Sequence, residues 1–127
     1  MANRRAINTP EAPAAIGPYE QAVAVGGLVF LSGQIPLEAD SGELTSPAFA
    51  DQAAKVFDNL AAVAQAAGGS LEQIVKITLY LTDLSNFSTV NEIMAARFAN
   101  SLPARAAVQV SALPRGAQIE ADAILAL

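Results

Sequence analysis

The chain has 127 residues, room for one domain but not for two ordinary cores. Hydrophobic residues make up 53 % and charged residues 15 %, which excludes intrinsic disorder and points to a surface partly covered by another copy. Twelve acidic and seven basic residues leave a net charge of −5, without the basic field a non-specific nucleic-acid binder needs. There is no Cys and no His. Disulfides, a thiolate nucleophile, Cys- or His-ligated metal and a Ser-His-Asp triad are therefore excluded. The start, MANRRAINTPEAP, has no apolar run after its arginines, so no secretory signal is expected. No apolar stretch is long enough to cross a membrane, and the expected address is the cytoplasm.

Residues 8–18 (NTPEAPAAIGP) hold three prolines and a glycine and read as an irregular lead-in. Two short apolar runs, 21–25 and 28–31, flank Gly26-Gly27 and predict a β-hairpin. Ser32-Gly33-Gln34-Ile35-Pro36 ends the second strand, and 37–45 is a polar loop. Ser46-Pro47 reads as a helix start, Ser as N-cap and Pro at the first position. Phe49, Ala53, Val56, Leu60, Val63, Ala64 and Ala67 then recur at helical spacing up to Gly68-Gly69. Val75, Ile77, Leu79 and Leu81 alternate with Lys76, Thr78, Tyr80 and Thr82, the clearest strand of the chain. A turn over 83–86 leads to a second helix, 86–99, marked by Phe87, Val90, Met94 and Phe98. Residues 104–112 are β-like with Ala106, Val108 and Val110 on one face. A turn over 113–116 precedes the last strand, 118–127.

The order β-β-α-β-α-β-β predicts an α+β fold, one mixed sheet with both helices on one face. The other face is then bare. Small residues expected on it, Ala107 and Ala123 among them, point to oligomerisation through that face. A half-solvated antiparallel sheet is the plainer alternative.

Without Cys or His, chemistry falls to carboxylates, arginines, tyrosines and hydroxyls. Arg105 opens a strand among small neighbours (Pro103-Ala104-Arg105-Ala106-Ala107), which leave its guanidinium room to enter a cleft and grip a carboxylate bidentately. A surface salt bridge is the competing reading. Glu120 lies between Ile119 and Ala121 in an apolar strand. Desolvation there raises its proton affinity toward that of a general base. Alternatively it is a charge guarding an edge strand, with Asp122 beside it on a solvated acidic stripe. Tyr19, after Gly17-Pro18, either walls a pocket or fills the core. Ser32-Gly33 allows close approach of backbone to a ligand, or is an ordinary bulge. Asn91, one turn after Phe87, either reaches a pocket or is a solvated helix position. No phosphate loop or calcium loop is present.

Ile16-Gly17-Pro18-Tyr19, Ser32-Gly33-Gln34-Ile35-Pro36, Val90-Asn91, Pro103-Ala104-Arg105 and Ile119-Glu120 follow in that order. Over about residues 16–124 the chain strongly resembles the reactive intermediate deaminase family, the Rid or YjgF type. The resemblance implies a chorismate-mutase-like single domain over 1–127 and a homotrimer, with a barrel of sheets inside, helices outside and ligand clefts between subunits. It implies hydrolysis of 2-aminoacrylate and 2-iminobutanoate to 2-oxo acids and ammonia, a detoxification of reactive intermediates without metal or cofactor. Carried over residue by residue, Arg105 matches the carboxylate-binding arginine and Glu120 the acid that activates water. Tyr19, Ser32, Gly33 and Asn91 match cleft residues, and Ala107 stands at a substrate-binding position where many members carry Cys. The connection 98–103 (FANSLP) is shorter than in archetypal members. The alternatives are a non-catalytic trimeric sensor of small carboxylates, which needs Arg105 but not Glu120, an endoribonuclease, which the charge opposes, and a holdase chaperone.

Overall fold

A computed structural model describes residues 3–127. Six strands form one mixed sheet in the order β1-β2-β3-β6-β4-β5. The strands are β1 (Arg4–Ile7), β2 (Ala22–Val25), β3 (Leu28–Gln34), β4 (Ile74–Leu81), β5 (Ala104–Gln109) and β6 (Ile119–Ala126). Only β4 and β5 run parallel, and the intervening α2 (Phe87–Arg97) makes the crossover that a parallel pair requires. The other helix, α1 (Phe49–Ala66), joins β3 to β4.

Both helices cover the same face. Ile77, Leu79 and Leu81 of β4 and Ile119, Ala121, Ala123 and Leu125 of β6 point to it. They are buried against Val56, Phe57, Leu60 and Val63 of α1 and Val90, Met94 and Phe98 at α2. Phe57 and Phe98 meet edge to face with centroids 6.0 Å apart, which ties the two helices together. The opposite face carries no helix. Leu28 and Phe30 of β3 stand on it, 41 % and 42 % exposed, with Ile124 and Ala126 directly across the ladder. Among the described residues no helix is long and apolar enough to cross a membrane.

Several sequence expectations are corrected. A strand that the sequence reading passed over precedes the irregular lead-in of 8–18: β1 pairs with β2 from Arg4↔Val25 to Ile7↔Ala22. Its sequence, RRAI, carries no alternation of its own and is held by the ladder. The first helix begins at Phe49 rather than at Pro47. Ser46 Oγ instead accepts from the Ala48 N–H at 3.0 Å, forming a turn that delivers the chain to the helix. β5 ends at Gln109, three residues before the expected end, and β6 covers 119–126. Ala107 and Ala123 do not lie on the bare face. Their ladder partners are Leu79 and Ile77, so both alanines point into the helix-covered core. Their small size admits the helices, and the bare face is apolar through Leu28, Phe30, Ile124 and Val108 instead.

Candidate active site

The predicted site residues fall into two clusters. The first forms where β3 breaks its pairing with β6. The register shifts between Leu31 and Gln34, so Ser32-Gly33 sits in an irregularity. The bulge reading holds here. Gly33 has the Glu120 side chain as its close neighbour: a Cβ built on it would lie 3.0 Å from Cδ of Glu120, with the carboxylate oxygen Oε2 closer still. The missing side chain is the space that the carboxylate occupies. Ser32 is tied back to the segment before β2, its Oγ donating to the Glu20 carbonyl at 2.6 Å and its N–H to the Gln21 carbonyl at 2.9 Å.

Tyr19 stands beside it. Gly17, at φ 125°, takes a backbone shape that side chains disfavour, and the Tyr19 N–H donates to the Gly17 carbonyl at 2.9 Å. The phenol oxygen accepts from the Ile16 N–H at 3.3 Å. At 48 % exposure the ring is a wall and not core filling. Tyr19, Ser32, Gly33 and Glu120 share an open cleft of about 540 Å³ with Ile16, Ile35, Pro114 and Arg115. Sequence reading missed Ile35, Pro114 and Arg115 as site residues. The last two belong to a turn whose place beside β3 depends on strand order, and only Arg115, at φ 62°, carries an unusual backbone shape.

Glu120 is not on an edge strand. β6 lies between β3 and β4, so the gatekeeper reading is overturned. Burial pushes the Glu120 carboxyl above its ordinary range, and the like charge of Asp122 adds to the rise. Asp122 in turn accepts a hydrogen bond from Tyr80 Oη at 2.9 Å, and this holds the phenol's proton on more tightly than usual.

The second cluster surrounds Arg105 on β5. Its Nη1 donates to Asn91 Oδ1 at 2.6 Å, and its guanidinium carbon lies 4.9 Å from the centre of the Phe87 ring. Asn91 and Phe87 are one helical turn apart on α2, which explains how one helix face steers one arginine. The group borders a shallow cleft of about 220 Å³ with Met94, Leu102 and Pro103. Among the described residues Arg105 has no carboxylate partner. The ion pairs there are Lys55–Glu38 and Arg97–Asp58, so the salt-bridge reading fails. Ala107 points the same way two residues on and packs against the core.

These clusters do not meet within one chain. Arg105 pairs with Ile77 and Glu120 with Tyr80. Three residues apart on one strand, Ile77 and Tyr80 face opposite sides of the sheet. Arg105 therefore emerges on the helix side and Glu120 on the bare side. The chain thus carries two separate clusters, one around a guanidinium held by Asn91 and Phe87 and one around a partly buried carboxylate.

The sheet order, the paired helices and the bare apolar face define a YjgF-type α+β chain. A family model described as Endoribonuclease L-PSP matches residues 9–127. The mouse 2-iminobutanoate/2-iminopropanoate deaminase is 47 % identical over 121 residues, covering 95 % of this chain and 90 % of that protein. RidA from an Antarctic Psychrobacter superposes with a TM-score of 0.93 at 47 % identity, over 97 % of this chain and 99 % of that one. Escherichia coli TdcF, solved with bound serine, gives 0.91 at 40 % identity, over 97 % and 98 %. The chain belongs to this family, the Rid/YjgF proteins.

Proposed function

We propose that this protein is a hydrolytic deaminase of 2-enamine and 2-imine acids, 2-aminoacrylate and 2-iminobutanoate among them, acting as a homotrimer with its active sites between subunits. The observation that carries the reading is the split site. Arg105 and Glu120 lie on opposite faces of one sheet, each in an open cleft, so a second copy is needed to bring a cation to a carboxylate. The bare face with Leu28 and Phe30 is the surface on which copies meet. Relatives named as imine deaminases support the chemistry. The serine bound to TdcF matches the size and the carboxylate of the proposed guest.

Arg105 of one subunit grips the substrate carboxylate through two parallel N–H···O bonds, and Asn91 holds the guanidinium in line. The anchored molecule presents its C=N carbon over Glu120 of the next subunit, an orientation effect. Enamines first tautomerise to imines. Glu120 takes a proton from water as the water oxygen bonds to the imine carbon. The proton passes to nitrogen and gives the carbinolamine; Glu120 then moves the hydroxyl proton to that nitrogen as the C=O bond forms and the C–N bond breaks, and ammonia and a 2-oxo acid leave. General-base help of this kind contributes about 10²–10⁴-fold. Tyr19, Ser32 and Gly33 form the wall beside the reacting atoms.

The test mixes two inactive proteins. Arg105→Ala and Glu120→Ala trimers are allowed to exchange subunits, and ammonia release from freshly generated 2-iminobutanoate is followed. About a quarter of the interfaces in a random one-to-one mixture regain both groups, and activity returns in that proportion. No recovery despite proven exchange would refute the shared site. Near-background turnover by wild type and Glu120→Ala alike would leave a carboxylate sensor instead.

A further inference from the structure

Two amides on α1, Gln52 and Asn59, are buried in a helix face that is otherwise apolar, at 1 % and 3 % exposure. They are seven residues apart, two turns, and so stand on one side of the helix. Neither belongs to the clefts described above. Each reaches from the core to the backbone of the Glu120 cleft. Asn59 Nδ2 donates to the carbonyls of Ile35 and Leu37, at 3.2 and 3.1 Å, and Ile35 lines the cleft. Gln52 Oε1 accepts from the Gln118 N–H at 2.9 Å, two residues before Glu120, while its Nε2 donates to the Ser46 carbonyl at 2.9 Å. One helix thus holds both sides of the gap in which the carboxylate lies, the chain leaving Gly33 and the chain entering Glu120.

We infer that Gln52 and Asn59 are positioning residues for Glu120, setting the spacing between its carboxylate and the Gly33 backbone. The inference rests on the function proposed above. The reason for polar anchors is directional. A leucine at either place would fill the space, but only a hydrogen bond fixes where a carbonyl or N–H sits. The clearance at Gly33 is too small to absorb drift.

The experiment compares wild type with Gln52→Met and Asn59→Leu, which keep the bulk and remove the hydrogen bonds. A control, Val63→Ala, removes bulk from the same helix but no polar bond. Kinetics on 2-iminobutanoate are measured alongside carbon-13 NMR titration of the Glu120 carboxyl. Asp122, Tyr80, Lys76, Tyr19 and Arg115, the ionisable groups on its face and around its cleft, stay in place in every variant. A loosened carboxylate is expected to lose at least about tenfold in kcat, with KM held within about twofold because Arg105 sets it. The Glu120 midpoint falls toward the ordinary carboxyl range as water enters. Val63→Ala leaves both unchanged. Retained kcat and midpoint in the amide variants, or an equal change in Val63→Ala, overturn the inference. If wild type fails to hydrolyse the imine, the proposed function fails and the midpoint alone decides positioning. If Asn59→Leu fails to fold, Gln52→Met decides.

Discussion

Replacing Gly33 with alanine adds a single methyl group at the point where β3 and β6 separate. The backbone accepts it, because Gly33 is not among the positions at positive φ. The new Cβ falls 3.0 Å from Cδ and 3.3 Å from Cγ of Glu120. Ordinary carbon contact is about 3.5–4.0 Å, and Oε2 lies closer to the new atom than either carbon, so the carboxylate must move by on the order of 1 Å or more. The moving atoms end a flexible side chain, and the fold itself is spared. Alanine for glycine in a strand stabilises by about 0.5–1 kcal/mol. Pushing Glu120 off its rotamer costs about 0.5–1.5 kcal/mol. The two nearly cancel, and Tm should shift by less than about 5 °C. Catalysis is less forgiving, since a reacting group misplaced by about 1 Å loses on the order of 10²-fold. The assay is ammonia release from 2-iminobutanoate beside a thermal melt. Near wild-type turnover in a well-folded Gly33→Ala protein would refute the reasoning, because it would place the reaction away from this carboxylate.

Other outcomes follow from the same geometry. Arg105→Ala should lose about 10²-fold or more in kcat/KM while the assembly stays intact in sedimentation, because the side chain is exposed and bonds mainly to Asn91; dissociation would make it a structural residue. Phe30→Asp, a charge in the middle of the bare apolar face, should yield monomers by light scattering and abolish turnover by parting the half-sites; an active monomer would contradict the split site. The Glu120 carboxyl is raised above 4.5 by burial first and Asp122 second, so kcat/KM should rise with pH through a midpoint above that value. Asp122→Asn should move the limb down, and an unmoved limb would assign it to another group. The same shift carries a stability sign. The folded chain binds the Glu120 proton more tightly than the unfolded chain, so the stabilisation is complete below about pH 4.5 and is lost as pH rises through the higher folded value. Glu120→Gln should therefore melt above wild type near neutral pH, with the gap closing in acid; a variant that melts lower at neutral pH would show the ionised carboxylate to be favourably held.

Most elements were legible because their signals are local. Alternation over Val75–Thr82 and the three-to-four spacing from Phe49 to Ala67 each lie within a single segment, and backbone geometry turns such a pattern directly into a strand or a helix. The absence of His and Cys, the isolated Glu120 and the lone Arg105 among small neighbours were equally plain. Strand β1 has no such pattern and exists because β2 offers it a ladder. Ala107 and Ala123 show the limit from the other side, for a small apolar residue suits either face and only the register with Leu79 and Ile77 assigns one.

Residue types and their order along the chain thus determined the elements, the available chemistry and the family motifs. Tertiary structure alone decided that β6 is an interior strand, that Gly33 makes room for Glu120, that Gln52 and Asn59 grip the walls of its cleft, and that the arginine and the carboxylate face opposite sides of the sheet. The reason is that each of these facts is a relation between segments distant in sequence. Such relations are set by strand order and ladder register, which long-range pairing selects and no local pattern encodes.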